Sequence, residues 1–155
     1  MEQQRGRRSN YMLNETAVYL VPVDYGMSVE RLIWLGHYDS VNINITSQNF
    51  PTKRKDKTEL TIVLAHFNRL TSDDEVIREL DKVGYRPAEA HELLAFAVKY
   101  PDIQRKFSIL ALGSVWRSSD KYPFVLCLDS YGIRRLKLSS SGTWNEVCRF
   151  AAVRK

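Results

Sequence analysis

Residues 72–101, SDDEVIRELDKVGYRPAEAHELLAFAVKYP, decide the fold class. They predict two helices in succession. The first begins at a capping box, Ser72 to Glu75, whose acidic side chains suit the positive end of a helix, and it ends near Gly84. The second is expected to begin at Arg86-Pro87, because proline is favoured in a first helical turn, and to end before Tyr100-Pro101. Apolar residues recur at helical spacing in both, so each helix is expected to bury one face.

On both sides of this stretch, the sequence pattern indicates β-strands. Ser28 and Gly36 are suited to begin and end one further, earlier helix. Strands are predicted near residues 17–23, 41–46, 59–67, 107–116, 122–128, 133–138 and 144–153. The last four are separated by polar loops of hairpin length, which favours antiparallel pairing. The predicted architecture is α+β, a single domain over residues 17–155 with two adjacent helices packed on a mainly antiparallel C-terminal sheet.

The buried faces of these elements predict a hydrophobic core. The residues expected to be largely buried are Leu64, Ile77, Leu80, Leu93, Leu94, Leu110, Leu112, Leu126 and Phe150.

Length and composition exclude several classes of protein. The chain has 155 residues, of which 44% are hydrophobic and 26% charged, the balance of a soluble globular domain. Two cysteines cannot build a disulfide scaffold, and whether Cys127 and Cys148 pair is left open. No apolar run approaches the ~20 residues that span a bilayer. Residues 1–16 are expected to form a flexible basic arm without a signal peptide, so a cytoplasmic location is predicted.

Positive charge is concentrated in three segments. The formal net charge is +5, with a net +2 over residues 1–8, +3 over 53–58 and +7 over 99–155. Such a distribution attracts anions in general, and it also allows a surface for nucleic-acid phosphates. The candidate residues for that surface are Arg5, Arg7, Arg8, Lys53, Arg54, Lys55 and Lys57.

No motif for catalysis or metal binding is complete. His91-Glu92 lacks the second histidine of a zinc-protease helix, and Gly113-Ser114-Val115 lacks the frame of a nucleophile elbow. We therefore predict no catalytic residue, no metal and no cofactor. A small hydrolase using loop carboxylates stays open as a third alternative, with Asp24, Asp39, Asp120 and Asp129 as the acids.

Aromatic and arginine side chains gather at the predicted turns of the C-terminal sheet. These residue types are enriched in binding hot spots, and turns at one end of a sheet can hold them on a rigid base. The predicted binding surface comprises Trp116, Arg117, Tyr131, Arg134 and Trp144. It requires Trp116 and Trp144 to be partly exposed and near one another.

Two resemblances accompany this pattern. Residues 84–88, 92–96, 100–102 and 110–114, together with the ending 149–155, resemble a group of short bacterial proteins without an assigned function. The Gly84-Tyr85-Arg86-Pro87 entry to a helix and the last strand also resemble, more weakly, C-type-lectin-like domains. The first resemblance implies a family without an activity. The second implies a fold only, since the Glu-Trp pair usual on the lectin-like helix is absent.

The predicted function is a non-catalytic interaction module for a protein or peptide partner, with no membrane association. The alternative is a nucleic-acid-associated protein that uses the arm, the basic loop at 53–57 and the C-terminal sheet. Steep weakening of binding with salt would distinguish the second from the first.

Overall fold

The computed structural model describes residues 17–140 and 142–155. The predicted basic arm, with Arg5, Arg7 and Arg8, lies outside the described residues. Within them, the predicted α+β class is confirmed.

Three helices and ten strands form the described part of the chain. The helices are α1 (Val29–Gly36), α2 (Asp73–Lys82) and α3 (Ala90–Lys99), with a 3₁₀ turn at Ile103–Arg105. The strands are β1 (Tyr19–Asp24), β2 (Ser40–Val41), β3 (Lys57–His66), β4 (Thr71–Ser72), β5 (Tyr85–Pro87), β6 (Ile109–Arg117), β7 (Pro123–Ser130), β8 (Arg134–Ser140), β9 (Thr143–Trp144) and β10 (Arg149–Arg154). No helix in these residues is long and apolar enough to cross a bilayer.

One large sheet organises the fold. Its strand order is β1-β3-β10-β6-β7-β8-β2, with β5 also paired to β10. Most neighbours are antiparallel, but β10 runs parallel to β6, and β2 runs parallel to β8. The last strand of the chain therefore inserts into the middle of the sheet, between β3 and β6.

Each face of the sheet is covered by its own hydrophobic core. Alternate residues of a strand point to opposite faces, so Ile109 packs in one core and Leu110 in the other. Residues of α1 and α3 cover the first face, whereas Val76 and Leu80 of α2 and Trp144 of the β4–β9 ribbon cover the second. The two helices that are adjacent in sequence therefore pack on opposite faces.

The second predicted helix begins later than expected. Tyr85–Pro87 forms β5, whose Arg86 lies opposite Val153 of β10, and α3 begins at Ala90. Proline restricts the residue before it to extended backbone, which favours a strand at Arg86. The prediction that Pro87 opens the helix is therefore wrong.

Two predicted strands are shorter than expected. The strand at 41–46 ends at Val41 because the Asn42 side chain accepts a hydrogen bond from the backbone N–H of Asn44 and forms a turn. The last strand begins at Arg149, not at 144, because Thr143–Trp144 instead pairs with Thr71–Ser72.

The predicted core is confirmed except at one residue. Ile77 is 41% exposed, because α2 turns Val76 and Leu80 towards the sheet. The other eight predicted members are buried.

Candidate binding pocket

Glu92, in the first turn of α3, is the centre of a buried polar network. Its side chain is fully buried, and its carboxylate accepts two hydrogen bonds from the Arg86 guanidinium, at 2.9 and 2.7 Å. The backbone N–H of Glu89 donates a third at 2.7 Å, and the hydroxyl of Tyr25 donates a fourth at 2.5 Å. A carboxylate accepts about four hydrogen bonds, so Glu92 is saturated.

Tyr25 extends this network to the basic loop. Nη1 of Arg54 donates to the Tyr25 hydroxyl at 3.1 Å, and the guanidinium lies 5.2 Å from the centre of the Tyr25 ring. The same Nη1 is 3.8 Å from Oε2 of Glu92. Arg54 is therefore held by the buried network while its side chain stays 46% exposed.

The pKa values of Glu92 and Tyr25 agree with Tyr25 as the donor and Glu92 as the acceptor. Burial alone would raise the pKa of the Glu92 carboxyl, but hydrogen bonds from Arg86, from the Glu89 backbone and from Tyr25 outweigh it and hold that pKa below its usual value. Burial, and then the hydrogen bond to Glu92, raise the pKa of Tyr25 to about 12. At neutral pH the carboxylate is ionised and the phenol is protonated.

A cavity of about 370 Å³ lies beside this network. Three segments form its walls: the loop 49–54, the start of α3 at Glu89 and His91, and residues 113–115 of β6. We call this cavity the α3 pocket.

A bulge in β6 brings one wall of the α3 pocket close to the helix. The pairing of β6 with β7 shifts register between Ala111 and Trp116. Within the bulge, the Gly113 N–H donates to Ala88 O at 2.8 Å, and the Ser114 hydroxyl accepts from the Ala90 N–H at 2.8 Å. A Cβ at Gly113 would lie 2.6 Å from Ala88 O, so only glycine allows this approach.

The α3 pocket has polar and apolar walls and a positive edge. Lys53 and Arg54 supply two cations, and Glu89 is the acidic residue among the lining side chains. Pro51 and Val115 add exposed apolar surface, whereas Phe50 is buried beneath the pocket. The lining therefore carries a small net positive charge.

Only one of the two tryptophans of the predicted binding surface is accessible. Trp144 is only 7% exposed, packs in the second core and donates its indole N–H to Asp73. Trp116 packs against the first core, with its ring centre 5.9 Å from that of Phe124. Trp116 is half-buried, but Trp144 is buried, so the requirement that both tryptophans be at least partly exposed is not met.

Arg134, expected at a binding surface, is also buried. Its guanidinium donates to the carbonyls of Gly36 (2.7 Å), His37 (3.2 Å) and Pro101 (3.1 Å), and to Gln104 Oε1 (3.0 Å). These contacts bind the C-terminal end of α1 to the start of β8. Arginine is suited to this because it offers five fixed N–H donors. Its hydrogen bonds are made within the fold.

Two of the predicted binding residues are exposed. Arg117 lies at the end of β6 and donates to Lys121 O at 3.2 Å. Tyr131 is 83% exposed, with the Arg135 guanidinium 5.7 Å from its ring centre. Their role in binding stays a prediction.

Sequence reasoning missed an exposed tryptophan on α1. Trp34 is 62% exposed, and the Arg31 guanidinium lies 4.7 Å from its ring centre. Helical periodicity offered a signal, because burying Val29 and Leu32 turns Trp34 outward.

The residues of the nucleic-acid alternative that are described lie in one exposed loop. Lys53, Arg54, Lys55 and Lys57 are all exposed. Only Arg54 contacts the Glu92 network, and Lys57 approaches Asp24 at 3.9 Å.

Two of the side chains considered for catalysis, His91 and Asp129, are engaged in the fold. His91 Nε2 is 3.1 Å from Met27 O, and Asp129 is paired with Arg135 and Lys137. Both cysteines are free thiols, and burial raises the pKa of Cys127 to about 12. In residues 17–140 and 142–155, no group of three or more His, Cys, Asp or Glu side chains could hold a metal ion.

The Glu92 network and the α3 pocket were thus not predicted as a binding site. Of their residues, only Lys53 and Arg54 were predicted to bind, as part of the nucleic-acid alternative. Glu89 and Glu92 stand at capping-box spacing, which was a usable signal for the helix start. No sequence signal pointed to Tyr25, because it contacts Glu92 from 67 residues away in the sequence.

No protein-family model, curated protein or solved structure matches the chain. Both resemblances noted in the sequence therefore stay predictions.

Proposed function

We propose that this chain is a non-catalytic binding module for a protein or peptide partner, and that the α3 pocket receives one residue of that partner. The observation that carries the proposal is the cavity of about 370 Å³ beside the saturated Glu92 network. Its volume is at the lower end of the range for ligand pockets and suits one amino-acid residue. Its walls combine polar groups with the apolar surface of Pro51 and Val115, as peptide recognition requires.

Rigid walls support this function. Residues that are already fixed lose little conformational freedom when a ligand binds, so more of the contact energy appears as affinity. Arg54 is fixed by Tyr25, and Gly113 and Ser114 are fixed by hydrogen bonds to Ala88 and Ala90.

The nucleic-acid alternative is favoured by the exposed lysines of the same loop, Lys53, Lys55 and Lys57. Single-stranded nucleic acids, however, usually bind where aromatic rings offer faces for stacking. Phe50 is the aromatic residue in the pocket lining apart from His91, and it is 2% exposed. A peptide partner is therefore the better fit to the α3 pocket. We expect the interaction in the cytoplasm, where Cys127 and Cys148 would remain reduced.

A display selection with random peptides tests the proposal. Peptides selected on the wild-type protein should lose at least roughly tenfold in affinity for the Val115→Trp variant, which fills the pocket mouth. Val147→Trp is the matched control, since Val147 is also an exposed valine but does not line the pocket. Fluorescence anisotropy measures both affinities.

Two results would overturn the proposal. Selected peptides that bind Val115→Trp as tightly as wild type would place the binding surface elsewhere. Binding of single-stranded DNA or RNA that is tighter than any peptide and falls steeply with salt would favour the nucleic-acid alternative.

A further inference from the structure

We infer that the group bound in the α3 pocket is a carboxylate and that Arg54 recognises it. This inference rests on the proposed function and adds the chemical class of the ligand. Three observations support it: the unused donors of Arg54, the charge of the pocket lining and the shape of the guanidinium.

Arg54 has donors that residues 17–140 and 142–155 do not use. The Glu92 carboxylate is already saturated by Arg86, Tyr25 and the Glu89 backbone. Arg54 lies 3.8 Å from it and makes its side-chain hydrogen bond, through Nη1, to the Tyr25 hydroxyl instead. Arginine carries five N–H donors, so the Nε and Nη2 edge remains available to a ligand.

A ligand with one negative charge would neutralise the net charge of the pocket lining. Arg86 and Glu92 neutralise each other within the network. In the lining, Lys53 and Arg54 face the single acid Glu89, which leaves one positive charge. A carboxylate brings one negative charge, whereas a phosphate group brings up to two and would leave an excess beside Glu89.

The shape of Arg54 also favours a carboxylate. A guanidinium is planar, and its parallel N–H groups match the two oxygens of a carboxylate in a bidentate pair. Because Tyr25 holds Arg54 by both a hydrogen bond and ring stacking, this fork is oriented before the ligand arrives. The carboxylate can belong to an Asp or Glu side chain or to a peptide C-terminus, since both present the same two oxygens.

Titration of ¹⁵N-labelled protein with small probes, followed by NMR, tests this inference. N-acetylglutamic acid α-amide represents the side chain, N-acetylalanine the chain end, and N-acetylglutamine amide a neutral isostere. Inorganic phosphate is the competing anion. We expect one or both carboxylate probes to shift the amide signals of residues 52–54 and 113–115 with a dissociation constant on the order of millimolar. The neutral isostere and phosphate should bind at least roughly tenfold more weakly.

The Arg54→Lys variant tests whether binding depends on the planar guanidinium or only on its positive charge. It keeps the positive charge but loses the planar pair of donors, so carboxylate binding should fall by at least roughly tenfold. Lys55→Gln is the control, because it removes a positive charge from the same loop without touching the pocket lining. It should change the affinity by less than about twofold, as expected for a screened surface charge.

The outcomes distinguish this inference from the proposed function. If phosphate binds as well as the carboxylates, if Arg54→Lys binds like wild type, or if no carboxylate probe shifts the pocket signals, the inference is overturned. The proposed function is still supported if the selected peptides bind the Val115→Trp variant more weakly than the wild-type protein. If those peptides are also indifferent to Val115→Trp, both fail.

Discussion

The hydroxyl of Tyr25 donates a 2.5 Å hydrogen bond to Glu92, and this contact joins the end of β1 to the first turn of α3. Tyr25 also accepts from Arg54 at 3.1 Å. A single phenol therefore connects the buried carboxylate to the residue at the mouth of the α3 pocket. We therefore expect the Tyr25 hydroxyl both to stabilise the fold and to orient the Arg54 side chain.

Tyr25→Phe removes this connection and keeps the ring. Hydrogen bonds to charged groups contribute about 1.5–3 kcal/mol, so the free energy of unfolding should fall by that amount. Urea denaturation measures it. Tyr131→Phe, at an 83% exposed residue, is the control and should cost less than about 0.5 kcal/mol. A loss for Tyr25→Phe no larger than that of the control would contradict a structural role for the hydrogen bond.

Glu92→Gln tests the buried ion pair. Removing one partner of a buried pair leaves the other charge without compensation, and we expect a loss of about 3 kcal/mol, the lower end of the usual range, because Arg86 is 26% exposed. Glu79→Gln breaks the exposed pair with Lys82 and should cost less than about 1 kcal/mol. Equal losses in the two variants would contradict the burial of Glu92.

Ionisation of the Glu92 carboxyl should make the free energy of unfolding depend on pH. The pKa of Glu92 is lowered from 4.5 on folding, so its ionised form stabilises the protein above that pH. This contribution is lost as the pH falls through the lowered value in the folded state. The difference in unfolding free energy between wild type and Glu92→Gln should thus be constant above about pH 5 and shrink in more acid solution. Urea titrations across this range measure it, and a difference that grows with acidity would show that the sign is wrong.

Leu94→Ala and Ile77→Ala compare two apolar residues of helices α3 and α2. Leu94 is fully buried, so its truncation should cost about 2–5 kcal/mol. Ile77 is 41% exposed and should cost less than about 1 kcal/mol. Denaturant titration of both variants checks the order, and a larger loss at Ile77 would mean that α2 packs by a different face.

The two thiols should differ in reactivity. Cys127 is buried, and its burial raises its pKa to about 12, so it is protonated at neutral pH. Cys148 is half-buried, and burial raises the pKa of its thiol. A colorimetric disulfide reagent should modify Cys148 in the native protein and both thiols in urea, because the thiolate is the reacting species. Rapid native modification of the Cys127 residue in a Cys148→Ser variant would contradict this packing.

Local patterns predicted much of the fold because their causes are local. The capping box at Ser72 and the apolar spacing around Leu80 act within a few residues, and α2 forms where they predict it. A polar loop of hairpin length likewise indicated the strands that became β6 and β7, whereas the period-two alternation at 41–46 gave only the two-residue β2. The pattern failed at Arg86-Pro87, where pairing with β10 competes with helix formation.

The sequence by itself determined the α+β class, most of the core and the exposed basic loop, because helix capping, turn signals and runs of apolar residues depend on residues that are close in the sequence. Only the tertiary structure decided that Trp144 and Arg134 are buried and that the α3 pocket exists. Glu92, Tyr25 and Arg54 meet there across long stretches of chain. Such contacts follow from the order of strands in the sheet, which local propensity does not specify.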